Sequence, residues 1–77
     1  MSRRYADKIH PKAIKRLVEL RKSKGISQLI LAQASGVSRQ AIGLIESGKR
    51  NPSLFVCLSI ANELGVRLSD VLDDIEK

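Results

Sequence analysis

Residues 27–47, SQLILAQASGVSRQAIGLIES, decide the fold of this chain. The stretch contains two short helical patterns joined by a three-residue turn, Ser35-Gly36-Val37. Gly36 can adopt the positive φ that a sharp turn requires, and a small residue there lets two helices cross closely. The core positions fall where two crossing helices need them: Leu31, Ala32, Val37, Ile42 and Ile45. The stretch therefore predicts a helix–turn–helix.

Start and stop signals on both sides of this stretch predict three more helices. Pro11 suits a first helical position, and glycines follow three of the predicted helix ends. Serines precede the other four helices as N-caps: Ser27, Ser38, Ser53 and Ser69. The predicted helices are approximately residues 11–24, 28–34, 39–47, 54–64 and 70–76. The chain is thus predicted to be an all-α, compact five-helix bundle.

The composition predicts one small domain with an aliphatic core. The 77 residues include one Phe, one Tyr and no Trp. A single cysteine, Cys57, excludes an internal disulfide and a cysteine-based metal site, and we expect it to be a small core residue. No apolar stretch approaches 18 residues, and no signal segment is evident. We expect a cytoplasmic protein without a membrane span, metal or cofactor.

The net charge of +6 is unevenly distributed along the chain. Residues 1–25 carry +7, residues 26–50 carry +2, and residues 51–77 carry −3. A basic N-terminal part favours a polyanionic partner. Residues 1–10 are predicted to be a basic, flexible arm, either a solvated tail or a segment that contacts DNA, and residues 11–77 form the domain.

Residues 14–72 resemble the phage-repressor and Cro type of helix–turn–helix domain, the XRE family. The motifs that carry this resemblance include Gly25-Ile26-Ser27-Gln28, Gly36-Val37-Ser38-Arg39-Gln40 and Asn51-Pro52-Ser53-Leu54. The resemblance implies a bundle of the lambda-repressor-like type, with a central helix–turn–helix made of helices 2 and 3. It also implies a DNA-binding transcription regulator in which helix 3 lies in the major groove.

The resemblance assigns the base contacts to helix 3. The implied residues are Ser38, Arg39, Gln40, Gly43 and Leu44. Arginine can donate two parallel hydrogen bonds to guanine, and a carboxamide pairs with adenine. Gly43 has two interpretations: either it permits close approach to DNA, or it is a helix-destabilising residue that the fold tolerates without a functional reason.

The resemblance also implies contacts to the DNA backbone and one ion pair. The implied backbone contacts are Ser27, Gln28, Ser47, Lys49, Arg50 and Asn51. Gln28 would touch a phosphate and brace helix 3, whereas the loop after helix 3 could also be an ordinary solvated turn. Arg21 and Glu46 match a pair that is ion-paired inside this fold.

Two apolar pairs depart from the family pattern. Leu29 and Ile30 replace acidic or polar residues, and we expect one of them to pack on helix 1. Phe55 and Val56 are expected outside the buried stripe of Cys57, Leu58, Ile60, Ala61 and Leu64, unless helix 4 is rotated. Exposed apolar residues there could form a dimer seam, with the implied interface at Phe55, Val56, Val66 and Arg67.

The leading hypothesis is a sequence-specific DNA-binding transcription regulator that binds a palindromic operator as a homodimer. We expect no small-molecule effector domain, because the chain ends soon after helix 5. The alternative is an antitoxin, or another module of this fold that neutralises a partner protein and regulates its own gene. We do not expect an enzyme, since the chain lacks a nucleophile–base constellation and metal-ligand spacing.

Overall fold

The computed structural model describes the backbone of residues 3–76 and the side chains of residues 11–75. Five α-helices account for the regular structure of the described residues. They are α1 (Arg3–Ser23), α2 (Gln28–Ser35), α3 (Arg39–Glu46), α4 (Leu54–Glu63) and α5 (Leu68–Glu76). The predicted all-α class and the number of helices are confirmed.

Three of the four predicted serine caps are present. The hydroxyl oxygens of Ser27, Ser38 and Ser53 accept hydrogen bonds from the backbone N–H of Ile30, Ala41 and Val56, each at 3.1 Å. Each bond satisfies one of the N–H groups that a helix start leaves without a partner. Local sequence chemistry therefore determines where α2, α3 and α4 begin.

Two predicted helix starts are wrong. Helix α1 begins at Arg3, and Pro11 lies inside it. Proline is favoured at a helix start, but it can also lie inside a helix. There it removes one backbone hydrogen bond, because it has no N–H to donate. Residues 1 and 2 of the predicted arm lie outside the described residues, and its role stays a prediction.

Helix α5 begins at Leu68, so Ser69 is an exposed residue of its first turn and not a cap. The carbonyl of Arg67 accepts hydrogen bonds from the N–H groups of Asp70 and Val71. Leu68 packs against the core, and this tertiary contact extends the helix beyond the local capping signal.

The core lies where four helices meet around α3. Ile42 of α3 is fully buried, and the other members come from every remaining helix: Leu17, Leu31, Ala32, Ile60, Ala61, Leu64 and Val71. Helix α1 packs against α3 and α5, and α2 packs against α3 and α4. Gly36 has the expected positive φ, 75°, and joins α2 to α3. Helices α1 and α2 thus pack against α3, and Arg39 and Gln40 of α3 stay exposed.

Candidate nucleic-acid interface

The N-terminal end of α3 presents two long polar side chains to solvent. Arg39 and Gln40 are exposed, whereas Ile42 and Ile45 on the opposite face are buried. The Ser38 cap fixes the direction of the first turn, and its hydroxyl is used in that cap. A guanidinium and a carboxamide held this way can make paired hydrogen bonds with base edges.

The five predicted base-contacting residues differ in their exposure to solvent. Ser38, Arg39 and Gln40 are exposed, and Gly43 and Leu44 are half-buried. A Cβ atom added to Gly43 would lie 3.9 Å from Oε1 of Gln28, an ordinary contact distance. The space around Gly43 therefore does not require glycine.

Arg21 and Glu46 form an ion pair behind α3. Nε of Arg21 donates to Oε2 of Glu46 at 2.7 Å, and Nη2 donates to Oε1 at 2.8 Å. Nη1 donates to the carbonyl of Ile26 at 2.8 Å, which ties down the segment before α2. Arg21 thereby connects α1, the α1–α2 turn and α3, and the paired geometry fixes their relative positions.

Gln28 joins the same network from the start of α2. Its Nε2 donates to Oε1 of Glu46 at 3.0 Å, so the first residue of α2 holds the end of α3. Sequence reasoning implied that Gln28 braces α3 but did not find Glu46 as its partner. The side chains of Arg21, Gln28 and Glu46 are hereafter called the bracing network.

The bracing network keeps Glu46 ionised. Burial by itself raises the pKa of the Glu46 carboxyl, but hydrogen bonds from Arg21 and Gln28 and the charges of Arg21 and Lys22 outweigh it. The pKa therefore lies below its ordinary value of 4.5. At neutral pH Glu46 is therefore a carboxylate, which accepts hydrogen bonds from Arg21 and Gln28 and donates none.

The loop after α3 is closed by its own backbone. The N–H groups of Lys49 and Arg50 donate to the carbonyl of Leu44, and the Ser47 hydroxyl donates to the same oxygen. Lys49, Arg50 and Asn51 are exposed. An ordered loop with exposed cations lies directly beside the end of α3.

A second, apolar surface lies on α4. Leu54 is 69% exposed, Phe55 76% and Leu58 48%. Phe55 is outside the core, as expected, but Leu58 is not in the buried stripe. Val56 is half-buried and packs against the core, so its predicted outward placement is wrong. Val66 is also half-buried against the core, and Arg67 is exposed. The period of 3.6 residues turns Val56 inward once Ile60 is anchored.

The remaining expectations concern α2 and Cys57. Leu29 and Ile30 are 49% and 55% exposed, so the expected packing of one of them on α1 is wrong. Cys57 is half-buried, and burial raises the pKa of its thiol. Among the described residues, no three His, Cys, Asp or Glu side chains are grouped to hold a metal ion. No helix in the described part is long and apolar enough to cross a membrane.

A family model described as Helix-turn-helix matches residues 17–71. An uncharacterised HTH-type transcriptional regulator of Archaeoglobus fulgidus is 40% identical over 63 residues, which cover 79% of this chain and 90% of that protein. The HTH-type transcriptional regulator PuuR of Escherichia coli is 35% identical over 63 residues, covering 82% of this chain but 34% of PuuR.

A solved structure has the same fold. The crystal structure of the restriction–modification controller protein C.AhdI from Aeromonas hydrophila matches with a TM-score of 0.74 and 42% identity. The match covers 87% of this chain and 98% of that chain. The chain belongs to the helix-turn-helix family of the phage-repressor and Cro type, the XRE family, a class of DNA-binding transcription regulators and not of enzymes.

Proposed function

We propose that the protein is a sequence-specific transcription regulator that inserts α3 into the major groove of DNA. The observation that carries this proposal is the exposed pair Arg39 and Gln40 on a helix whose opposite face is buried. The bracing network supports it, because a fixed helix keeps the two side chains in register with the bases.

Contacts to the DNA backbone fit the helix starts and the 47–51 loop. In this proposal Ser27 and Gln28 lie beside one phosphate, where the free N–H groups at the start of α2 favour an anion. Ser47, Lys49, Arg50 and Asn51 hold another stretch of backbone. These contacts position the protein, and α3 supplies the sequence preference.

We infer that the regulator binds as a homodimer on a two-fold symmetric operator. A single domain of 8.5 kDa offers few base contacts, and two copies double them. The exposed Phe55 and Leu58 border a groove of about 650 Å³ between α4 and α5, which is lined also by Val66 and Arg67. A protruding Phe55 and an apolar groove on one molecule suit a reciprocal contact between two copies.

The likeness to C.AhdI, a restriction–modification controller protein, favours a role of the controller type. A Cro-like switch or a small autoregulator fits the same geometry. We propose that it acts in the cytoplasm, where its DNA would lie.

A second candidate is a module that neutralises a partner protein and regulates its own gene. The exposed Leu29 and Ile30 favour it, because they are apolar residues of α2 and not of α4, which carries the proposed dimer surface. Substitution of both residues by serine would abolish a partner complex while leaving DNA binding unchanged. Co-purification of the wild-type protein, but not the variant, with one stoichiometric protein supports this function.

Selection of random duplex DNA at near-physiological salt, followed by sequencing, tests the leading function. A two-fold symmetric motif is expected. Motif-free, salt-sensitive binding would contradict sequence-specific regulation by this protein alone.

Two substitutions then separate base contacts from backbone contacts. Arg39→Ala should cost about 1–3 kcal/mol on the selected duplex and relax one base preference. Lys49→Ala should weaken binding to all duplexes and reduce the salt slope by about 1. Fluorescence anisotropy on selected and random duplexes measures both, and equal losses on the two from Arg39→Ala would refute its base-reading role.

A further inference from the structure

A groove of about 310 Å³ separates α1 from the end of α3 and the loop that follows it. Lys15 and Val18 line the α1 wall, and Arg50 and Asn51 line the loop wall. Both cations, Lys15 and Arg50, are exposed. Helix α1 thus borders the loop that is proposed to hold the DNA backbone.

Helical geometry extends this wall by one more lysine. Lys15, Val18 and Lys22 are spaced at i, i+3 and i+7, so they lie on one stripe of α1. The charge of Lys22 acts on Glu46, which places it at the bracing-network end of that stripe. The stripe therefore runs beside α3, from the 47–51 loop to the start of α2.

Neither lysine of this stripe forms a side-chain ion pair with another described residue, although the charge of Lys22 acts on Glu46. Among residues 11–75, the side-chain ion pairs are Arg16 with Glu19 and Arg21 with Glu46, and neither contains Lys15 or Lys22. The acidic residue that lines the groove, Glu46, is held by Arg21. Exposed cations that are outside any ion pair suit an external polyanion.

We propose that Lys15 and Lys22 of α1 bind DNA phosphates beside those held by the 47–51 loop, so that the first helix is part of the DNA interface. This inference rests on the proposed function. The lysines supply sequence-independent affinity, because a flexible ammonium group binds a phosphate as a point charge. Arg16 provides a matched control, since it follows Lys15 in sequence but lines a different groove, facing α5.

The test compares Lys15→Gln, Lys22→Gln and Arg16→Gln on the selected duplex and on random duplex DNA, at several salt concentrations. All three variants lose one positive charge. We expect Lys15→Gln and Lys22→Gln each to lower the salt slope by about 0.9 and the affinity at 0.15 M salt about five-fold, on both duplexes. Arg16→Gln should retain the wild-type slope, and Lys15→Arg should restore it.

Equal slopes for Lys15→Gln and Arg16→Gln would overturn the inference, because only net charge would then matter. Wild-type slopes for both lysine variants would also overturn it while leaving the proposed function intact. Absence of duplex binding by the wild-type protein would refute both. Circular dichroism melting of each variant verifies that the fold is retained, as expected for exposed side chains.

Discussion

At the scale of single residues, Glu46 links the stability of the domain to the position of α3. Its carboxylate accepts hydrogen bonds from Arg21 on α1 and Gln28 on α2, so three helices meet at one charge. Removing one partner of a buried pair leaves the other charge without compensation. We expect this residue to affect folding and DNA affinity together.

The pKa of Glu46 predicts an acid-dependent loss of stability. A carboxyl whose pKa is lowered by folding contributes stability above its unfolded value of 4.5, and this contribution is lost as the pH falls through the folded pKa. Glu46→Gln should lower the free energy of unfolding at pH 7 by about 1.5–3 kcal/mol and flatten its dependence on pH below 4.5.

Urea unfolding at several pH values measures this effect. Glu63→Gln is the control, because Glu63 is exposed on α4. An identical acid dependence in the wild type and Glu46→Gln would show that the bracing network does not stabilise the folded state.

Gly43 offers a second test at the residue scale. Its φ is not positive, and an added Cβ meets only Oε1 of Gln28, at 3.9 Å. Gly43→Ala should therefore raise the free energy of unfolding by about 0.5–1 kcal/mol. Gly48→Ala should lower it instead, because Gly48 has a φ of 79°.

Thermal unfolding and DNA binding of these variants give separate answers. Lower stability of Gly43→Ala would contradict the structure at this position. If Gly43→Ala raises stability but reduces DNA affinity, Gly43 permits close approach to DNA. If the affinity is unchanged, the glycine has no role in DNA binding and is only tolerated by the helix.

At the scale of the helices, a serine N-cap predicts the helix start well when no tertiary contact of a neighbouring residue favours a different start. Ser53 caps α4, and its oxygen accepts the N–H of Val56 at 3.1 Å. Ser69 has the same residue type but lies inside α5, because the helix begins at Leu68 and that residue packs on the core. Burial of an apolar side chain thus overrode a capping preference.

The two serines give a paired prediction. Ser53→Ala should destabilise the domain by about 1 kcal/mol, the usual value of a serine N-cap. Ser69→Ala should change the free energy of unfolding by less than about 0.5 kcal/mol. Urea denaturation measures both, and an equal cost at Ser69 would support the start of α5 predicted from sequence.

At the scale of the whole molecule, the two open surfaces differ in chemistry. The face around α3 is basic, and the face of α4 exposes Leu54, Phe55 and Leu58. A large exposed aromatic side chain beside an apolar groove is typical of a protein–protein contact. The division allows one surface to bind DNA while the other binds a second copy.

Phe55→Lys should therefore weaken the proposed homodimer at least about 30-fold, since hot-spot residues contribute about 2 kcal/mol or more. Phe55 is 76% exposed, so the isolated domain should fold normally. Sedimentation over a range of concentrations measures the dimer. Leu29→Lys, at another exposed apolar residue, should leave it intact, and a monomeric wild type would rule out the dimer interface.

The number of helices, the serine caps of α2, α3 and α4 and the turn at Gly36 followed from the sequence, because they depend on contacts between near neighbours in the chain. The inward rotation of Val56, the exposure of Leu58 and the start of α5 became visible only in the packed molecule. Those features depend on how helices distant in sequence share one core, where small rotations exchange buried and exposed positions. The bond between Gln28 and Glu46 belongs to the same class, because it forms only after α2 and α3 have packed.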